Sequence, residues 1–258
     1  MRAKKKFGQN FLTDQSVIKK IVDNLQPKEQ DKFLEISPGM GAITKPILDK
    51  ISFLNVVEID SDMINYLKKN ISQEKINVID RDILSIPTSE LKQYDRIIGN
   101  LPYYISTEIL LKMISIIDSI KDLHFMFQKE VAERITAKPN NKNYGRLTVL
   151  IQYFYEAEIL FHISSKSFLP APKIESSFIK LTPKIERKLK FKNLVNFEKV
   201  IKKAFQYKRK TIKNNFKNIL TESNFESLNI NSSSRSEMLN INDFIIIENY
   251  IYENKISI

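Results

Sequence analysis

Two apolar periods alternate along the first half of the chain. Runs at residues 32–36, 53–59, 76–79, 96–98 and 123–127 are short and β-rich, whereas residues 43–51, 61–71 and 106–120 repeat apolar positions at i, i+3 and i+4. The first set predicts five strands and the second three helices, with Ser61 and Ser106 as N-caps. Such alternation predicts an α/β fold, a mostly parallel sheet covered by crossover helices. Further on, residues 146–155 predict another apolar helix, and residues 159–163 and 178–181 a terminal hairpin. Residues 164–177 predict a loop, because Pro170 and Pro172 block regular pairing. After Leu181-Thr182-Pro183 the periodicity is helical only, so the sequence divides into domains 1–183 and 184–258, the second small and α-helical.

Composition narrows the class. A chain of 258 residues with 42% apolar side chains, 5 Gly and 9 Pro is neither collagen-like nor disordered, and is long enough to bury a substantial core. The formal charge of +11 predicts a polyanionic partner, nucleic acid ahead of an acidic membrane surface. Residues 184–217 hold 13 bases and 2 acids, Glu186 and Glu198, while the rest of the chain balances 28 against 28. The positive charge is therefore local.

With no cysteine, disulfides and Cys-ligated metals are excluded; His124 and His162 stand apart, as strand residues rather than ligands, and no metal site is expected. Arg2, Lys4, Lys5 and Lys6 make a basic start that no signal-length apolar stretch follows, and no run approaches the ~18 apolar residues of a membrane span. A soluble cytoplasmic protein without a membrane partner is expected.

The chemistry concentrates at predicted strand ends. Glu35-Ile36-Ser37-Pro38-Gly39-Met40-Gly41 leaves the first strand, where glycine lets backbone approach a ligand closely. Glu58 ends the second strand about 20 residues on, where a carboxylate can accept two hydrogen bonds from a ribose diol. Asp82 follows the third strand, placed to accept from an adenine amino group; Asp80 competes for that role, and a solvated loop acid is the plain alternative. A dinucleotide fingerprint requires Gly or Ala where Thr44 stands, so a nucleoside ligand is favoured over NAD. Asn100-Leu101-Pro102-Tyr103 leaves the fourth strand. An amide oxygen, a carbonyl ahead of proline and an aromatic face can together hold an amino-substituted planar ring, a nucleobase above all.

This order of residues resembles that of class I S-adenosylmethionine methyltransferases, with their Rossmann-like sheet. Over nearly its whole length the chain resembles, more specifically, the ribosomal RNA adenine N6,N6-dimethyltransferase family. The blocks that carry the resemblance are Phe7-Gly8-Gln9-Asn10-Phe11-Leu12, Glu35 to Gly41, Val57-Glu58-Ile59-Asp60, Asn100 to Tyr103 and Gln128-Lys129-Glu130-Val131-Ala132-Glu133-Arg134. Tyr144-Gly145-Arg146-Leu147, Phe168-Leu169-Pro170-Ala171-Pro172-Lys173 and Ala204-Phe205-Gln206-Tyr207-Lys208-Arg209-Lys210-Thr211 complete them.

The resemblance implies S-adenosyl-L-methionine as cofactor, S-adenosyl-L-homocysteine as its product, and two adjacent adenines near the 3′ end of small-subunit rRNA as target, within an immature small ribosomal subunit. It implies that Asn10 and Leu12 line the cofactor pocket, that Ser37, Gly39 and Gly41 wrap its methionine part, that Glu58 holds the ribose and Asp82 the adenine, and that Asn100 borders cofactor and target. Asn100 and Leu101, ahead of Pro102, would accept the N6 protons; Tyr103 would stack on the flipped base and Phe168 close its other face. The family usually has Gly where Ser37 stands, so a positive φ there would cost on the order of 1 kcal/mol. Lys202, Lys203, Lys208, Arg209, Lys210 and Lys213, interleaved with apolar residues, are the candidate RNA contacts, with Lys4, Lys5 and Lys6 as further ones. A monomer is expected. Two other readings stand beside this one: the related large-subunit rRNA methyltransferase that confers macrolide resistance, and a non-catalytic nucleic-acid-binding assembly or transcription factor.

Overall fold

A computed structural model gives the fold and describes residue 4, residues 9–184 and residues 190–258. Phe7 and Gly8 of the first family block, and Lys5 and Lys6, lie outside the described residues. The strands are β1 (Phe11–Leu12), β2 (Phe33–Ile36), β3 (Leu54–Glu58), β4 (Ile76–Asp80), β5 (Arg96–Asn100), β6 (Asp122–Gln128), β7 (Tyr155–Ile163), β8 (Phe168–Leu169) and β9 (Ser176–Pro183). The helices are α1 (Gln15–Leu25), α2 (Thr44–Leu48), α3 (Ser61–Asn70), α4 (Thr88–Leu91), α5 (Ser106–Met113), α6 (Lys129–Ile135), α7 (Arg146–Phe154), α8 (Leu194–Ala204), α9 (Ile212–Asn215), α10 (Glu222–Ser227) and α11 (Ile241–Glu253).

Seven strands form one sheet in the order β4-β3-β2-β5-β6-β9-β7. Strands β4, β3, β2, β5 and β6 pair in parallel, and β9 runs antiparallel to β6. Strand β2 is buried at every position, as a central parallel strand covered on both faces must be. The chain turns back on itself between β2 and β5, with β3 and β4 to one side and β6 to the other. Open α/β sheets bind their ligands at the carboxyl ends of such a switch point.

Several local expectations shift. Helix α3 is capped by Asp60, whose carboxylate accepts from the Asp62 amide at 3.0 Å, so Ser61 is the first helical residue rather than the cap. Helix α5 begins at Ser106, which sends its hydroxyl back to the Tyr103 carbonyl at 3.1 Å. The helix expected over 106–120 becomes α5 followed by a tighter turn, Ile114–Ser119. The expected loop 164–177 contains β8, which pairs antiparallel with β1. Helix α1 was not foreseen, although Asp14 caps it and Ile18, Ile21, Val22 and Leu25 give it a buried stripe.

The base of the sheet is held by an ion cluster. Arg96, at the start of β5, donates Nε and Nη2 to Asp122, Nη1 to Asp31 and Nη2 to the Leu25 carbonyl, at 2.7–2.9 Å. Burial pushes Asp122 up, but the His124 ring 3.3 Å away and the Arg96 hydrogen bonds outweigh it and hold its carboxyl at about 2. His124 is fully buried in β6 and His162 shares a hydrogen bond with Ser177 at 2.8 Å.

By contacts the chain forms two units, one running to Ala132 and resuming at Ala157–Pro183, the other made of Glu133–Glu156 and Lys184–Ile258. Residues 133–156, assigned above to the first domain, thus pack with the second: Tyr153 of α7 meets Phe197 of α8 at 5.3 Å and Phe191 at 4.8 Å. An apolar helix face does not announce which neighbour will cover it. Within this second unit Asn193 caps α8 by accepting from the Asn196 amide at 3.1 Å, and Glu248 of α11, itself buried, accepts from the Lys192 and Asn193 amides that lead into the helix. No helix among the described residues is long and apolar enough to cross a membrane.

Candidate active site

The carboxyl ends of β2, β3 and β5, with the turn after β4, enclose a cavity of about 530 Å³ lined by residues from Gln9 to Ile105. Its size suits a nucleoside-sized ligand. Asn10, Leu12, Ser37, Gly39, Gly41, Glu58, Asp82, Asn100, Leu101, Pro102 and Tyr103 all line it. Asp80 is not among the lining residues.

The first wall is the turn after β2. Ser37, Gly39 and Gly41 take φ of +56°, +56° and +77°, a region that L side chains enter at a cost. A Cβ on Gly39 would lie 3.1 Å from the Phe11 ring, so glycine here keeps backbone and cavity in contact. Ser37 adopts the conformation that glycine would take freely, and its amide donates to the Val57 carbonyl at 2.9 Å.

Glu58 closes the second wall. Its Oε1 accepts from the Ile59 and Asp60 amides at 2.9 and 3.0 Å, and among the described residues Oε2 accepts only a longer bond from Gly39 at 3.2 Å. Burial pushes its pKa up and the three amides pull it down, with burial prevailing. Asp82 accepts from the Leu84 amide at 2.9 Å through one oxygen. The sequence reading missed Glu35, which is buried on this wall and accepts from the Thr44 hydroxyl at 2.6 Å. Burial, with a smaller push from the Glu58 charge, raises it to about 7 against the Thr44 bond. The signal was present: an acid inside the apolar run Phe33-Leu34-Glu35-Ile36 has no solvent to face.

The turn after β5 supplies the reactive end. Asn100 donates Nδ2 to the Asn10 carbonyl at 3.1 Å. Among the described residues neither Asn100 Oδ1 nor the Leu101 carbonyl receives a hydrogen bond, and Pro102 has no amide hydrogen to offer. Two acceptors therefore remain unspent in the cavity wall. Tyr103 lies on the same wall with its hydroxyl 2.6 Å from Ser176 Oγ. Burial raises its pKa against that bond, which keeps the phenol neutral. Gly99 makes room for this turn: a Cβ there would stand 2.8 Å from the Ile36 carbonyl oxygen.

Phe168 is not brought to the cavity. It is 3% exposed, sits in the core beside Leu12, and does not line the pocket. Its register partner is Leu12, so the alternation of the β1–β8 pair turns both inward, while Leu169 is 67% exposed. Lys4 pairs with Asp60 at 2.5 Å and Asp62 at 2.7 Å, which commits its charge to the protein. In the second unit Lys208, Arg209 and Lys210 are exposed, on a loop that Asn215 holds through bonds to Ala204 and Tyr207. Lys208 donates to the Lys142 carbonyl at 2.8 Å and Lys213 pairs with Glu222 at 3.0 Å; Lys202 is exposed and Lys203 half-buried.

A parallel sheet with this switch point and this cavity defines a class I S-adenosylmethionine methyltransferase. The family model for ribosomal RNA adenine dimethylase matches residues 1–253, and the chain belongs to that family. Proteins named ribosomal RNA small subunit methyltransferase A are 40% identical over 249 residues in Legionella pneumophila (strain Corby), covering 96% of this chain and 97% of that one. The Neisseria meningitidis serogroup C protein of the same name is 39% identical over 250 residues, covering 97% and 96%. A crystal structure of a dimethyladenosine transferase from Plasmodium falciparum superposes with a TM-score of 0.81 at 27% identity, covering 95% of this chain and 98% of that one. The 23S rRNA methyltransferase ErmE, at 21% identity and a TM-score of 0.72 over 92% and 98%, shares the fold. Family membership makes the chain an S-adenosylmethionine-dependent enzyme, and the cavity, its positive-φ turn and the spare acceptor at Glu58 fit that cofactor.

Proposed function

We propose that this protein dimethylates N6 of two adjacent adenines near the 3′ end of small-subunit rRNA, acting as a cytoplasmic monomer on an immature small ribosomal subunit. The observation that carries this reading is the pair of unspent acceptors, Asn100 Oδ1 and the Leu101 carbonyl, beside the ring of Tyr103. A non-catalytic binding factor has no use for such a pair. Relatives at 40% identity are named for the small subunit, which disfavours the large-subunit reading.

Asn10, Leu12 and the Ser37 to Gly41 turn would hold the methionine end of the cofactor, Glu58 its ribose and Asp82 its adenine. When bound, S-adenosylmethionine supplies a methyl group activated on a sulfonium. Adenine N6 is a poor nucleophile, because its lone pair is delocalised into the ring. Asn100 Oδ1 and the Leu101 carbonyl, each accepting one N6 proton, favour a pyramidal nitrogen whose lone pair is localised and aimed. Tyr103, its phenol neutral, stacks on the extruded base rather than taking a proton. The proton released after each transfer goes to solvent. Lys202, Lys203, Arg209 and Lys210 contact the RNA backbone, while Lys208 is tied to a backbone carbonyl and Lys213 pairs with Glu222.

The test is to incubate purified protein and labelled S-adenosylmethionine with unmodified small ribosomal subunits, large-subunit rRNA and a DNA duplex, then map modified bases by mass spectrometry. Dimethyladenosine confined to small-subunit rRNA is expected. Label in large-subunit rRNA would transfer the protein to the other branch, and tight RNA binding without methyl transfer would make it a binding factor.

A further inference from the structure

Ser176 is fully buried on β9, opposite Gln128 at the end of β6, and its hydroxyl reaches the phenolic oxygen of Tyr103 at 2.6 Å. Its side chain does not line the cavity. Tyr103 has no such fixed seat: it stands in the turn between β5 and α5, outside any regular element. Its main chain is tied by the Ser106 hydroxyl to its carbonyl and by the Ile105 amide to the Pro102 carbonyl, at 3.1 and 3.2 Å. Those bonds leave the side-chain torsions free. Among the described residues the Ser176 bond is the hydrogen bond that ties the far end of the ring, and it is anchored in a strand hydrogen-bonded on both sides.

We propose that Ser176 is a positioning residue for methyl transfer, holding the Tyr103 ring in the plane against which the target adenine stacks. The inference rests on the stacking role given to Tyr103 above. An aromatic wall pinned at both ends keeps the base from rocking, so that N6 stays between Asn100 Oδ1 and the Leu101 carbonyl. The second transfer depends on this more than the first. A monomethylated nitrogen keeps one proton, hence one of the two hydrogen bonds, and stacking must supply more of its alignment. Releasing the ring therefore slows the second transfer more and lets monomethyladenosine accumulate.

The experiment uses the full chain, labelled S-adenosylmethionine and unmodified small ribosomal subunits, with mono- and dimethyladenosine resolved by mass spectrometry. Ser176→Ala is expected to lower kcat about 10-fold, as a small loss of alignment does, with KM for the subunit and Kd for the cofactor nearly unchanged and the monomethyl fraction raised. Tyr103→Phe removes the same bond from the turn and leaves the buried strand intact, so it should reproduce both effects, and the double variant should be no worse than either single one. Wild-type kcat and product ratio in Ser176→Ala, alongside an impaired Tyr103→Ala, would overturn the role of Ser176 and leave stacking in place. Full turnover in Tyr103→Ala would instead remove the stacking reading itself. A parallel fall of kcat and cofactor affinity in both tether variants would reduce the bond to a structural one and overturn the proposal.

Discussion

The side-chain nitrogen of Asn100 donates to the Asn10 carbonyl at 3.1 Å, and this bond decides which way the amide faces. With Nδ2 committed to the protein, Oδ1 remains the acceptor for substrate. Asn100→Ala is expected to lower the single-turnover rate by about 100-fold or more, the usual cost of removing one preorganised hydrogen-bonding group at a reacting centre. Cofactor affinity, measured by titration calorimetry, should change far less, since Asn10 and Glu58 remain. Equal losses in both would assign Asn100 to the cofactor alone.

One residue earlier, Gly99 lets β5 lie against β2. Its missing Cβ would meet the Ile36 carbonyl oxygen and Leu101 Cδ2, both at 2.8 Å, and the former is backbone of the neighbouring strand. Gly99→Ala must therefore displace the strand end that carries Asn100. A stability loss of roughly 1–3 kcal/mol is expected by denaturant unfolding. Turnover and cofactor affinity should fall together, in contrast to Asn100→Ala.

Period and strand-end chemistry make the sheet and most of the cavity wall legible in the sequence. Glu58, Asp82 and Asn100 could be placed because each follows an apolar run of period suited to a parallel strand. What escaped depended on packing partners. Phe168 carries the same sequence signal whether it faces a base or the core, and only its register with Leu12 turns it inward. Residues 133–156 have an apolar face that either unit could bury, and the aromatic side chains of Tyr153, Phe191 and Phe197 settle it. Ser61 and Ser106 are suitable capping residues, but Asp60 and Ile105 occupy the cap positions, and the Ser106 hydroxyl turns back to the Tyr103 carbonyl instead. Lys4 reads as a free cation until Asp60 and Asp62 appear beside it.

Ser37 takes φ of +56° without being glycine. Ser37→Gly removes the clash between Cβ and backbone that this conformation imposes, and should stabilise the fold by about 1 kcal/mol. The thermal midpoint reports it. Cofactor affinity is expected to stay level or rise, because the backbone already follows the path that glycine prefers.

The basic loop of the second unit makes a separable prediction. Lys208 is engaged by the Lys142 carbonyl, whereas Arg209 and Lys210 are exposed beside it. Arg209→Ala with Lys210→Ala should weaken binding to the small subunit and flatten the dependence of log K on log salt by nearly one unit per charge removed. Cofactor affinity should not move. Lys208→Ala should change the salt slope less, and an unaltered slope in the double variant would argue against backbone contact at this loop.

Glu35 makes stability depend on pH in an unusual direction. Its carboxyl, raised from 4.5 to about 7 chiefly by burial, stays protonated in the folded protein while the unfolded chain ionises near its ordinary value. Between those two pH values the folded state binds the extra proton, so stability is lost as pH rises and the loss is complete above about 7. At 1.36 kcal/mol per unit of pKa, the penalty is roughly 3 kcal/mol at pH 8. Glu58, also raised by burial, adds a slope of the same sign that persists in any Glu35 variant. Glu35→Gln replaces the carboxyl with a neutral group of the same shape that can still accept from Thr44. The thermal midpoint of this variant should exceed that of the parent at pH 8, with the difference shrinking towards pH 5, where both side chains are neutral. A difference that is the same at both pH values would mean that Glu35 does not change its charge across this range, and that its burial is compensated from the cavity side.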